Sequence, residues 1–216
     1  MGNGYWGKTL RVNLSDRTVT TEALPEQVCR DFLGGCGIAA KYIADEVDMS
    51  VDALSEGNKI VIATGPMNMI NIAGAGRWEI CALSPLTHMW GEANGGGFFG
   101  TKLKHTGFDV LVVEGKASTP VYLKIDDDKA EICDAGKYWG MDNIEAYDEL
   151  QKDIGKEYSV ISIGQAGEKL VPMACVCSEG SHGHAGRTGM GAVMGSKNLK
   201  AIAANGKKPQ SVETVT

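Results

Sequence analysis

One pattern occurs twice in this chain. Gly96-Gly97-Phe98-Phe99-Gly100-Thr101-Lys102 matches Gly191-Ala192-Val193-Met194-Gly195-Ser196-Lys197 as Gly-x-x-x-Gly-[Thr/Ser]-Lys. Leu103-Lys104 follows the first copy and Leu199-Lys200 the second. Each copy then runs into an apolar strand closed by Gly-Lys, at Gly115-Lys116 and Gly206-Lys207. Upstream, each has an earlier apolar strand ending in glycine, Ile60 to Gly65 and Val160 to Gly164. The order strand, strand, glycine loop, helix, strand is thus read twice. A duplicated unit of this kind predicts two related halves around a pseudo-two-fold axis, presenting two similar glycine loops.

The glycine content agrees. There are 29 glycines in 216 residues, nearly twice the usual share of about 7%. No G-X-Y period makes them collagen-like. Apolar runs such as Ile60-Val61-Ile62-Ala63 and Val110-Leu111-Val112-Val113 exclude a disordered linker. Thirteen of the 29 fall within residues 74–100 and 180–195. A glycine loop leading into a helix offers backbone N–H groups to an anion, helped by the helix dipole. Two loops point to a ligand with two phosphate-bearing halves, or to two copies of one ligand. Arginine is scarce, yet two of the five arginines, Arg77 and Arg187, lie in these regions. Each is placed to clamp a phosphate.

The remaining sequence predicts a hairpin over 8–14 and 18–23, helices over 25–33 and 38–47, and strands over 59–64, 77–83 and 88–93. A helix-like segment over 96–105 follows, then strands over 109–114, 120–125 and 129–133. Asp142-x-x-Glu145 resembles a capping box for a helix over 143–154. Strands are expected over 158–163, 170–177 and 199–204, with a glycine-rich stretch between the last two. Strands outnumber helices and several are joined by short turns, which predicts an α+β fold rather than a clean βαβ alternation. Residues 1–206 read as one domain and 207–216 as a linker stub.

The net charge of -6 argues against a nucleic-acid partner, which wants a basic footprint. No apolar run approaches the ~20 residues of a membrane span, and no secretory signal or myristoylation site is visible. A cytoplasmic protein is expected. The six cysteines form no C-x-x-C, so no zinc site or cluster built from local pairs is indicated, and most should be buried small apolar residues. Cys175-x-Cys177 would point to one face of a strand. His182 and His184 lack a cysteine or carboxylate at matching spacing, so a metal role for them is not expected. Gly95-x-Gly97-x-x-Gly100 formally meets the dinucleotide fingerprint. Three consecutive glycines meet such a pattern easily, so a nucleotide-binding α/β domain is a minor alternative. No nucleophile–base constellation is legible.

Several segments together resemble a known family. They are Ala73-Gly74-Ala75-Gly76-Arg77, Ser84-Pro85-Leu86-Thr87, Ala93-Asn94-Gly95-Gly96-Gly97-Phe98-Phe99-Gly100, and Ser162 to Glu168. The longest runs from Ala185-Gly186-Arg187-Thr188-Gly189 through Lys200-Ala201. The chain resembles the N-terminal domain of aldehyde:ferredoxin oxidoreductases. That resemblance implies a tungsten or molybdenum enzyme that oxidises an aldehyde or oxo group to the acid, with ferredoxin as electron acceptor. It implies a bis-pyranopterin cofactor whose phosphates share a magnesium ion, resting on this domain. By the same resemblance, Arg77, Asn94, Gly95, Gly96 and Gly97 form one cofactor loop, and Gly183, His184, Ala185, Gly186 and Arg187 the other. The backbone carbonyls of Asn94 and His184 would face the magnesium. The second loop departs from the family pattern. Gly183 stands where an arginine is frequent and His184 where a small residue is, leaving His182 or His184 to supply the charge. The [4Fe-4S] ligands and proton-transfer groups of the family belong to downstream domains, so this fragment alone would be inactive. A non-catalytic pterin-binding module or subunit is the alternative, and a homo-oligomer is left open.

Overall fold

A computed structural model of the chain describes residues 4–70 and 72–209. Among the described residues, twelve strands form two six-stranded sheets. The first contains β1 (Lys8–Asn13), β2 (Thr18–Ala23), β3 (Ile60–Thr64), β4 (Trp78–Leu83), β5 (Trp90–Gly95) and β6 (Val110–Glu114). The second contains β7 (Val121–Asp126), β8 (Lys129–Asp134), β9 (Ser159–Ser162), β10 (Val176–Ser178), β11 (Gly183–Ala185) and β12 (Leu199–Asn205). The described residues also hold six α-helices, besides two short 3-10 turns: α1 (Glu26–Phe32), α2 (Cys36–Glu46), α3 (Phe99–His105), α4 (Asn143–Ile154), α5 (Gln165–Glu168) and α6 (Met190–Ser196).

The two sheets are the same sheet built twice. The first runs β2-β1-β6-β3-β4-β5, and the second, read from its far edge, β8-β7-β12-β9-β10-β11. Every pairing matches in direction. β1–β6 and β7–β12 are parallel, and the other pairs are antiparallel in both. The α+β class and the duplicated halves are therefore present. This topology also disposes of the dinucleotide reading. A Rossmann crossover joins parallel strands, whereas three successive antiparallel pairings make β5 and β6, the strands flanking α3, antiparallel.

The central core belongs to both halves. Ile60, Ile62, Leu111 and Val113 of the first sheet pack with Val121, Leu123, Ile161 and Ile202 of the second, joined by Phe99 and Leu103 of α3 and Met190 and Val193 of α6. On the outer face of the first sheet, α1 and α2 bury Cys29, Ile38 and Ile43 against Val61, Cys81 and Val112. On the outer face of the second, Leu150 of α4 packs against Tyr122, Val160 and Ala203. Strands covered on both faces lose the in/out alternation of a half-exposed strand, and β3 and β12 are buried at every position.

Three expectations need correction. The strand expected over 170–177 is confined to Val176–Ser178, because Pro172 cannot donate to a ladder and Val171 and Met173 are exposed. The glycine-rich stretch holds a strand, β11, as well as α6. The two Gly-x-x-x-Gly-[Thr/Ser]-Lys motifs do not superpose. Leu103-Lys104 is helical in α3 and Leu199-Lys200 opens β12. The true equivalents are Gly100 and Gly191, each the second residue of its helix. A Cβ on Gly100 would lie 2.5 and 3.0 Å from the Gly76 and Arg77 carbonyl oxygens ahead of β4, and one on Gly191 2.9 and 2.4 Å from those of Ala174 and Cys175 ahead of β10. Of the expected linker stub, residues 210–216 lie outside the described residues.

Candidate functional site: a two-arginine cavity on the seam between the halves

β5 and β11 are equivalent edge strands, and the two edges meet. The Ser178 hydroxyl donates to the Gly96 carbonyl at 3.0 Å, Thr188 Oγ1 to the Glu92 carbonyl at 2.9 Å, and Ser84 Oγ to the Thr188 carbonyl at 2.8 Å. Along this seam opens a cavity of about 690 Å³ lined by Arg77, Asn94, His184, Gly186 and Arg187. All five are among the residues singled out from the sequence, and they come from both halves.

Register explains the convergence. Asn94 pairs with Glu79 of β4, and His184 pairs with Cys177 of β10. Because β4 and β10 are equivalent, Asn94 and His184 hold the same position in the two halves. The arginines are not equivalent: Arg77 precedes β4 and Arg187 follows β11. Arg77 donates to the Asn94 side-chain oxygen. Arg187 is exposed and makes no hydrogen bond or ion pair with any described residue. Two guanidinium groups facing one cavity concentrate positive charge there in a chain of net charge -6.

The expected glycines divide into two kinds. A Cβ on Gly95 would lie 2.4 Å from the Trp78 ring, and one on Gly183 2.5 Å from Ser178 Oγ. At Gly97, φ is +86° and a Cβ would lie 2.0 Å from Glu179 Oε2. These three glycines are demanded by the protein's own packing. At Gly186 a Cβ would meet nothing within 4 Å, and at Gly96 only Arg77 Nη1 at 4.0 Å. Ala185 is buried beneath the site.

The helix N-termini are not free anion nests. Phe98 N–H, at the start of α3, donates to Glu179 Oε1 at 3.3 Å, and burial holds the Glu179 carboxyl above its ordinary range. At α6, Gly191 N–H donates to the Ala174 carbonyl at 2.9 Å. The repeated lysines are structural as well. Lys197 Nζ donates to the carbonyls of Asn58 at 2.6 Å and Gly115 at 3.0 Å. Lys200 Nζ is held by the Met141 carbonyl at 2.8 Å and by Glu168 at 2.5 Å, and Lys104 is paired with Asp109. His182 Nδ1 contacts the Glu179 carbonyl at 2.8 Å and does not line the cavity.

Residues 9–206 match the family described as aldehyde ferredoxin oxidoreductase, N-terminal domain. The chain belongs to this family. Over 206 residues it is 46% identical to the tungsten-containing aldehyde ferredoxin oxidoreductase of Pyrococcus horikoshii, covering 95% of this chain and 34% of the relative. It is 37% identical to the WOR-like subunit of an aliphatic sulfonate oxidoreductase of Pyrococcus furiosus, covering 95% of this chain and 35% of that one. Among solved structures it is similar to the BamBC active-site complex of benzoyl coenzyme A reductase, determined with 1,5-dienoyl-CoA. There the TM-score is 0.93 at 33% identity, over 97% of this chain and 32% of the other. The chain thus spans about a third of the length of the relatives it matches.

Two features of this aldehyde ferredoxin oxidoreductase-type domain escape a sequence reading. Glu79 lies on the strand that carries Asn94's partner position, beside Arg77. Burial, then the nearby Glu92 carboxylate, push its carboxyl up to about 7, and its Oε2 is buried without a partner. Cys175, Cys177 and His184 also form a cluster. The Cys177 thiol keeps its proton and its contact holds the Cys175 thiol down to about 6, with His184 adding to the effect. Only the one-residue spacing of the cysteines hinted at it; the turn that folds His184 back carries no signature.

Proposed function

We propose that this chain is the cofactor-cradling domain of a tungsten-dependent oxidoreductase that converts an aldehyde or oxo group to the acid, in a reducing, cytoplasmic setting. What carries the reading is the seam cavity, where one equivalent position from each half, Asn94 and His184, faces two arginines. A bis-pyranopterin has two similar phosphate-bearing halves, and the site has two similar sides. The residues fit such a group. Arg77 and Arg187 offer the guanidinium donors that phosphates bind bidentately, and the space at Gly96 and Gly186 leaves room for close backbone approach. The Asn94 and His184 carbonyls would hold a magnesium ion between the phosphates, since magnesium takes oxygen ligands.

When bound, the metal–pterin group supplies the two-electron chemistry. The chain's own residues bind and orient it. Arg77 is braced by Asn94, so the first guanidinium is held before the ligand arrives. Glu79, protonated below about pH 7, keeps the ground under Arg77 from competing for its charge. Ferredoxin as electron acceptor, the [4Fe-4S] cluster and the substrate pocket belong to the downstream part of the protein. Similar domains occur in proteins named for aldehydes, an aliphatic sulfonate and benzoyl coenzyme A, which supports a shared cradle with substrate choice made elsewhere.

The test is metal content in the full-length protein. Wild type grown with tungstate should hold tungsten in proportion to chain. Arg77→Ala and Arg187→Ala should each hold at least about tenfold less, given ~1.5–3 kcal/mol for a hydrogen bond to a charged group. Tungsten and molybdenum both absent from wild type, or unchanged content in the double variant, would overturn the reading.

A further inference from the structure

Cys177 of β10 stands directly opposite His184 of β11, and Cys175 precedes Cys177 by two residues. Opposed residues of an antiparallel pair share a face, as do residues two apart on a strand. Register therefore puts Cys177 and His184 on one side of the β10–β11 ribbon, and Cys175, just ahead of β10, reaches the same place. Their donor atoms lie within 4.8 Å of one another. The two sulfurs are 3.7 Å apart, and Cys177 Sγ is 3.1 Å from His184 Nδ1. With zinc–sulfur bonds of about 2.3 Å, a tetrahedral zinc site has a sulfur–sulfur edge of about 3.8 Å. Two thiolates and an imidazole are a zinc donor set, and no carboxylate is present to favour a harder ion.

The duplication sharpens this. The positions equivalent to Cys175, Cys177 and His184 in the first half are Arg77, Glu79 and Asn94, all oxygen or guanidinium chemistry. The second half has exchanged that set for three soft donors at the same three places.

We propose that Cys175, Cys177 and His184 bind one zinc ion, with the fourth position open to the seam cavity. Cys177 is buried, while His184 is exposed and is the one of the three that lines the cavity, so we place the open position on the His184 side, where it takes water or an anion oxygen. Two thiolates cancel the ion's charge, which lets it sit beside Arg77 and Arg187 without repulsion. The site needs no assumption about what else occupies the cavity.

Elemental analysis of the full-length protein, expressed with zinc and tungstate supplied, reads both proposals at once. Wild type should carry about one zinc per chain, as a three-ligand protein site implies. Cys175→Ser/Cys177→Ser and His184→Ala should lose it, the latter while keeping its backbone carbonyl. Zinc X-ray absorption on wild type should show two sulfurs and one imidazole, a readout that does not depend on any variant folding. Zinc absent from wild type, zinc retained in the variants, copper in its place, or a Cys175–Cys177 disulfide would each overturn the proposal. Tungsten without zinc refutes this site alone; zinc without tungsten refutes the cofactor reading alone.

Discussion

A glycine can be required by the protein's own packing or stand free of it, and the seam contains both cases. At Gly97 a side chain meets the Glu179 carboxylate and a left-handed backbone. At Gly186 it meets open space on the cavity wall. Gly97→Ala should therefore lower stability by about 1–3 kcal/mol, the usual cost of overpacking, measured as a shift in denaturation midpoint. Gly186→Leu should leave the midpoint within about 0.5 kcal/mol, as surface substitutions do, yet abolish tungsten loading. Glu79 offers a pH readout. Its folded pKa, about 7, lies above the ordinary 4.5, so the folded state binds the extra proton between them. Its stabilising contribution is full below pH 4.5 and is lost as pH rises through 7. Glu79→Gln should flatten the fall in melting temperature over that window; an unchanged slope would refute the assignment.

At the scale of elements, α6 shows how packing overrides propensity. It contains Gly191 and Gly195, each costing about 1 kcal/mol against alanine in a helix, and all seven of its residues are buried. A Cβ on Gly195 would lie 2.0 Å from the Gly167 carbonyl oxygen of α5. Propensity alone makes Gly195→Ala stabilising; the backbone clash makes it destabilising, and the neighbour cannot move without breaking α5. We expect a net loss of about 1–3 kcal/mol in chemical denaturation, and a gain in stability would show that α5 and α6 are not in this contact. By contrast α4 was legible in advance, because its signals are local. Asp142 Oδ1 accepts from the N–H groups of Ile144 and Glu145, each at 2.9 Å, completing the box its sequence announces. β11 was illegible, since its three residues become a strand only by pairing with β10.

For the whole molecule, the shared core makes the halves one cooperative unit despite their separate sheets. Ile161 of the second half is packed in the same cluster as Ile60 and Ile62 of the first. Ile161→Ala, a cavity change worth about 2–5 kcal/mol, should speed hydrogen exchange of β3 as much as of β12. Exchange rising in β12 alone would mean that the halves unfold independently.

The sequence by itself determined that this domain is a duplication, that it is α+β, and that its glycines concentrate in two stretches. Those facts rest on local signals: repeated order, glycine density, capping residues and a long motif. It misjudged how the copies align, because motif letters such as Gly-x-x-x-Gly-Ser-Lys record helix packing in one half and a loop in the other. Only the tertiary structure decided which glycines the protein's own packing requires, that the helix N-termini are already filled, and that Asn94 and His184 are counterparts. It also brought Cys175 and Cys177 to His184. The seam depends on two sheet edges meeting across residues 82 to 104 positions apart, and the cysteine–histidine cluster on the register of the β10–β11 hairpin; pairing decides both, and no local pattern encodes it.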